Sequence, residues 1–206
     1  MKSIYPTLAL AFSASLLNLT AYAQTTSGTQ NGQAVPPAQS AQPAAGTPSA
    51  APDRNRQSKL TQEDQAFLEN AIQGSHAEIE GSRLALEKTK SQDVRQFAEK
   101  MIEDHGKMVD EASALATTKD MTPPDGPSVM QMTEVTALKA LTGGAFDAMY
   151  VNRIGVAAHE TTVEMFEKAS REAQDPDVKA MATKALPKLR EHLEMARALD
   201  QKQESQ

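Results

Sequence analysis

From residue 61 onward, apolar side chains recur every three to four positions, the spacing that lines up one face of an α-helix, and no stretch alternates as a half-buried strand would. Thr61, with Asp64 three residues on, caps a first helix with an inner stripe of Leu68, Ala71, Ile72, Ser75, Glu78, Ile79, Ser82, Ala85 and Leu86. Ser91 caps a second, with Val94, Phe97, Ala98, Met101, Ile102, His105, Met108, Val109, Ala112, Leu115 and Ala116 on its inner side. The break between them is short, which predicts an antiparallel hairpin. Pro123-Pro124-Asp125-Gly126-Pro127 allows only a loop, after which Ser128 and Gln131 form a capping box for a short helix ending near Gly143-Gly144. A third long helix is predicted from about Ala145, with Ala145, Phe146, Met149, Asn152, Arg153, Val156, His159, Glu160, Val163, Phe166 and Ser170 turned inward. Asp175-Pro176 pairs an N-cap with a proline at the first helical position and starts a fourth, striped by Val178, Met181, Ala182, Ala185, Leu186, Leu189, His192, Leu193, Ala196 and Leu199. Pro187 lies inside it and predicts a bend at the Thr183 carbonyl, aiming His192 or wrapping the helix around the core. Four long stripes are buried most simply in an all-α, antiparallel four-helix bundle, with a short extra helix between the second and third.

The polar interruptions of these stripes coincide in depth. Glu78 and His105 lie almost equally far on either side of Ser91, roughly 20 Å along their helices at 1.5 Å per residue. His159 and His192 are likewise level about Asp175, roughly 25 Å from it. All four positions are near mid-helix, so they share one layer whichever way the third helix runs.

A carboxylate and three imidazoles in a dry core suit a transition-metal ion, Zn(II), Fe(II), Mn(II) or Cu(II), since these donors are borderline to hard and costly to bury without a partner. The metal ligands expected on this count are His105, His159, His192 and Glu78. The same layer also reads as metal-free, its ring nitrogens satisfied by Glu78 with Tyr150 or Asn152, in a purely structural or interaction module. Asp104, Glu160 and Glu191 each adjoin a histidine in sequence, but neighbouring helical positions point about 100° apart, so these carboxylates reach a histidine only across to another helix. His76 falls at the edge of its stripe. Met101, His105 and Met108 share a face, a pattern open to copper, although methionines there serve equally as core fillers.

Composition narrows the setting. Lys2, the apolar run Leu8 to Leu19 and Ala21-Tyr22-Ala23 have the form of a cleaved secretory leader over residues 1–23, and no later run reaches the roughly 18 apolar residues that a membrane span needs. Residues 24–58, built of Gln, Thr, Ser, Gly, Pro and Ala, bury too little to offset the entropy of ordering and are expected to form a tether. The folded domain is then residues 59–206. It holds all but three of the 21 basic and all but one of the 27 acidic side chains, a net of -8, which argues against nucleic acid and anionic membrane surfaces while admitting cations. The absence of cysteine excludes disulfides and thiolate chemistry.

The sequence has no nucleophile elbow, no phosphate-cradling glycine loop and no HExxH. The Glu-x-x-His pair of di-iron bundles is missing too, because Ile102 and Leu189 occupy the positions three residues before His105 and His192. A non-enzymatic role is therefore favoured over an oxidoreductase.

Several segments together are more specific than any one of them: Phe67-Leu68, Glu78, Val94-x-x-Phe97-Ala98-x-x-Met101-Ile102-x-Asp104-His105, Phe146-Asp147-x-x-Tyr150, His159, and Leu186-Pro187-x-Leu189-x-x-His192-Leu193. The chain resembles, over about residues 60–200, the bacterial envelope proteins known as domain of unknown function 4142. The resemblance implies a ferritin-like four-helix fold and a periplasmic or outer-membrane-associated location, and it assigns no catalytic residue. The function expected is that of an exported helical bundle binding a metal ion in its central layer, in metal homeostasis or envelope stress. An envelope protein or a second copy of the chain is the expected macromolecular partner.

Overall fold

The computed structural model describes residues 59–205, which are helical with turns and no strand. The leader and tether expected over residues 1–58 lie outside the described residues. Helix α1 spans Gln62–Lys88, α2 Gln92–Thr118, α3 Val129–Lys139, α4 Gly143–Met149, α5 Ala158–Glu172 and α6 Pro176–Glu204, and a π-helical segment, Tyr150–Ala157, joins α4 to α5 without a break. The starts follow from local chemistry. Hydroxyls of Thr61 and Ser91 accept from the amides of Asp64 and Val94, Ser128 and Gln131 cap α3 reciprocally, and Asp175 accepts from the amides of Asp177 and Val178 ahead of Pro176. No helix among the described residues is long and apolar enough to cross a membrane.

α1 packs along α2, and α5 along α6. Buried apolar residues fall into two clusters, one around Phe67, Leu68, Ile72, Phe166, Val178 and Leu189, the other around Val94, Phe97, Phe146, Tyr150, Ile154 and Ala196. Each long helix contributes to both, and between its two contributions it carries a polar residue of the central layer. The order of the clusters along the chain gives direction: α1 and α6 run from the first cluster to the second, while α2 and the α4–α5 rod both run back. α2 and α5 are thus parallel, and the connection that contains α3 crosses the length of the bundle. Ion pairs fix the first end, where Lys119 at the close of α2 lies 2.7 Å from both Asp175 and Asp177 at the start of α6. The Asp64 carboxylate accepts from the amides of Gln174 and Asp175 at 2.9 to 3.2 Å, tying α1 to the same turn.

The extra helix ends at Lys139, earlier than its sequence suggested, and the third rod begins at Gly143 rather than Ala145. A larger correction concerns its first half. Ala145, Met149, Asn152 and Arg153, expected inside, are exposed, and Tyr150, Val151, Ile154 and Gly155 are buried instead. A constant 3.6-residue period carried back from His159 puts the wrong residues inside, because the π segment closes its turns with amide-to-carbonyl bonds across five residues, as from Ala158 to Arg153, and so widens the turn. Pro187 lies on the exposed side of α6, which continues unbroken past it.

The π segment also packs closely. A methyl group at Gly155 would stand 2.9 Å from the Ala196 Cβ, which moves only with its backbone, and 3.5 Å from the Phe97 ring. Alanine gains up to about 1 kcal/mol in helix propensity over glycine, but overpacking costs about 1 to 3 kcal/mol. Gly155→Ala is therefore expected to lower stability by about 1 to 2 kcal/mol in urea unfolding, with Ala196→Gly restoring most of it. A Gly155→Ala protein as stable as the parent would show that α6 does not press on the π segment.

Candidate metal centre

Glu78 from α1, His105 from α2, His159 from α5 and His192 from α6 come together in the layer between the two apolar clusters. The three histidines are fully buried and Glu78 is 3% exposed. Their ring centroids are 5.2 to 5.4 Å apart, and one ring nitrogen from each lies within 4.8 Å of the others. Glu78 stands behind two of the rings, its Oε2 2.8 Å from His105 Nδ1 and its Oε1 3.7 Å from His159 Nδ1. The Ser75 hydroxyl is 3.3 Å from the same His105 nitrogen.

Each ring has one nitrogen committed to an acceptor. His105 Nδ1 faces the Glu78 carboxylate, and His192 Nε2 lies 2.9 Å from the Asp104 carboxylate across the α2–α6 seam. His159 Nδ1 lies 3.2 Å from the Ile154 carbonyl. That carbonyl is freed by the helix itself: the amide of Ala158 still bonds back five residues to Arg153, and the return to α spacing beyond it leaves one carbonyl without a backbone donor. Carboxylates and carbonyls only accept, so all three committed nitrogens carry the hydrogen. The remaining nitrogens, His105 Nε2, His159 Nε2 and His192 Nδ1, then present lone pairs.

Two of these lone pairs oppose each other, since the Nε2 atoms of His105 and His159 are 3.3 Å apart, and His192 Nδ1 is buried with no hydrogen-bond partner. Neutral rings in these tautomers repel, and only a cation between them, a proton or a metal ion, turns the arrangement favourable. Burial works against the proton. It lowers the His159 pKa despite the nearby Glu78 charge, and it lowers that of His192 to about 4 despite the bond to Asp104, with the neighbouring histidines adding to the effect. Burial opposes ionisation of Glu78 and Asp104 as well, but the histidines around Glu78, and His192 with Lys100 around Asp104, outweigh it, and both carboxyls titrate below their usual range.

Other residues considered from the sequence lie elsewhere. His76 is half-buried away from the layer. Met101 belongs to one apolar cluster and Met108 packs against the other, so they do not flank His105 as a pair. The Tyr150 hydroxyl is spent on Ser82 at 2.8 Å, and Asn152 is exposed. Of the carboxylates adjoining histidines, Asp104 reaches one, whereas Glu160 pairs with Arg197, and Glu191 with Lys100 and Lys188. Sequence reasoning did not single out Ser75 or the Ile154 carbonyl as partners. Ser75 is a polar residue in the α1 stripe and had a signal; the carbonyl had none.

No curated protein matches the sequence. Among solved structures, the chain is similar to the DUF305 fragment from Deinococcus radiodurans, with 16% identity, a TM-score of 0.61, and 69% of this chain and 98% of that one covered. It is also similar to a conserved hypothetical protein, rv2844, from Mycobacterium tuberculosis, with 17% identity, a TM-score of 0.52, and 67% and 90% covered. At such identities the likeness is one of fold. The family model for DUF4142, described as a domain of unknown function, matches residues 49–199, and the chain belongs to that family.

Proposed function

We propose that this protein binds a divalent transition-metal ion through His105 Nε2, His159 Nε2 and His192 Nδ1. The observation that carries the reading is the set of three buried lone pairs, each fixed by an acceptor on the far side of its ring, two of them facing at 3.3 Å. Two nitrogens bound to zinc at about 2.1 Å in tetrahedral geometry stand about 3.4 Å apart, so this pair is already at bonding separation. Glu78, counted as a ligand from the sequence, acts here from behind, holding the hydrogen on His105 Nδ1 as carboxylates do behind ligating histidines. An all-imidazole set favours Zn(II), Cu(II) or Fe(II) over Mn(II), which prefers oxygen donors. Three protein ligands leave a coordination position for water or a small ligand.

The leader-like pattern at Lys2, Leu8 to Leu19 and Ala21-Tyr22-Ala23 supports an exported, periplasmic protein. The single long crossover between two helical hairpins supports a ferritin-like bundle. A metal-holding role in envelope metal homeostasis fits both.

Elemental analysis of the protein purified from the periplasm without an affinity tag tests the reading. About one equivalent of metal is expected, lost in the His105/His159/His192→Ala variant and also in His192→Gln, which keeps a polar group in the core. Metal retained by both variants, or an untagged protein that takes up none of these ions when they are supplied, would sink it.

A further inference from the structure

We propose that the ion reaches the three histidines through the seam between α2 and α6, beneath a lid of Lys100, Asp104, Lys188 and Glu191, with His192 as the ligand that swings. This rests on the reading of the histidines as a metal site. All three rings are fully buried, so something must move to admit an ion. Above and below, the two apolar clusters close the layer, and a hydrated cation crossing either would leave water without a compensating partner. Sideways, the outer partners of His105 and His159 are sealed as well: Glu78 and Ser75 are 3% exposed, and so is Ile154.

The partner of His192 is different. The Asp104 side chain is 14% exposed, and around it lie Lys100, Lys188 and Glu191 at 29, 41 and 47%. Lys100 lies 3.2 Å from both Asp104 and Glu191, and Lys188 lies 3.8 Å from Asp104 and 2.8 Å from Glu191. Part-exposed ion pairs are individually weak, so this patch parts more easily than packed side chains. Once the two lysines turn to solvent, two carboxylates face an arriving cation at the mouth, and an outward swing of His192 admits it before the ring returns to the layer and to its bond with Asp104.

The test follows Co(II) absorbance on mixing with the full-length protein freed of metal, and its loss to a chelator. In Lys100→Gln/Lys188→Gln, loading and release should both quicken by about tenfold, with final occupancy kept and affinity within about threefold. Lys107→Gln/Lys184→Gln changes the net charge equally, and Lys184 pairs with Glu111 across the same seam, so it controls for attraction of the ion and for loosening elsewhere. Rates in the first variant that match this control, or faster loading with unchanged release, overturn the lid. Cobalt bound by no version of the protein overturns the site itself, a result distinct from normal binding at unaltered rates.

Discussion

Asparagine at Asp104 is expected to weaken zinc binding by about 10- to 100-fold, although Asp104 supplies no ligand atom. The Asp104 carboxylate 2.9 Å from His192 Nε2 keeps a hydrogen there and so a lone pair on Nδ1. An asparagine amide can donate as well as accept, which admits the other tautomer, with its hydrogen on Nδ1 where the metal should be. Calorimetric titration of zinc into parent, Asp104→Asn and Asp104→Glu proteins measures the loss, with Asp104→Glu expected to recover part of it. If Asp104 acts by fixing the His192 tautomer, an acceptor restores binding and a donor does not, so Asp104→Glu binding no better than Asp104→Asn, or Asp104→Asn binding as tightly as the parent, would reject the mechanism. The same argument applies to Glu78→Gln, through His105.

What the sequence disclosed about this layer was depth and face. Counting from Ser91 and Asp175 works because α-helical rise is constant and both turns are short, and Glu78, His105, His159 and His192 do share one layer. Hydrophobic periodicity defined α1, α2 and α6, and the N-caps Thr61, Ser91 and Asp175 fixed where each begins. It failed over residues 145–157, where the turn is wider than the period being counted. The buried residues there, Phe146, Tyr150 and Ile154 with Val151 and Gly155 beside them, recur every fourth position, and His159 follows Ile154 by five, a spacing wider than 3.6 and the trace a π segment leaves in a sequence. Ring orientation was not legible at all. Whether a histidine offers Nδ1 or Nε2 depends on partners supplied by other helices, Asp104 opposite α6 and Glu78 opposite α2, or by a carbonyl freed where the helix changes register. The π segment thus accounts both for the misplaced stripe and for the group that orients His159.

Acid should unfold the metal-free protein earlier than a bundle without this layer. The imidazole of His192 has its pKa lowered from 6.5 to about 4 in the folded state, chiefly by burial, and that of His159 is lowered for the same reason. Between those two values the unfolded chain binds a proton at His192 that the folded chain refuses, so unfolding takes up protons and stability falls as pH drops from about 6.5 towards 4. Glu78 and Asp104, with their pKa values depressed, act in the same direction lower down, losing their contribution as pH falls through the carboxylate range. At 1.36 kcal/mol per pKa unit, the His192 part is on the order of 3 kcal/mol over the whole range from 6.5 to about 4. Urea unfolding of chelator-treated protein at steps from pH 7.5 to 4.5 should show this loss, with a shallower slope in His192→Gln. Saturating zinc should move the fall to lower pH, because a ligated imidazole cannot take the proton until the ion leaves. Stability that stays level over this range, or rises as the solution is acidified, would mean that the imidazoles are already charged in the folded protein, and the lone-pair arrangement on which the metal reading stands would be wrong.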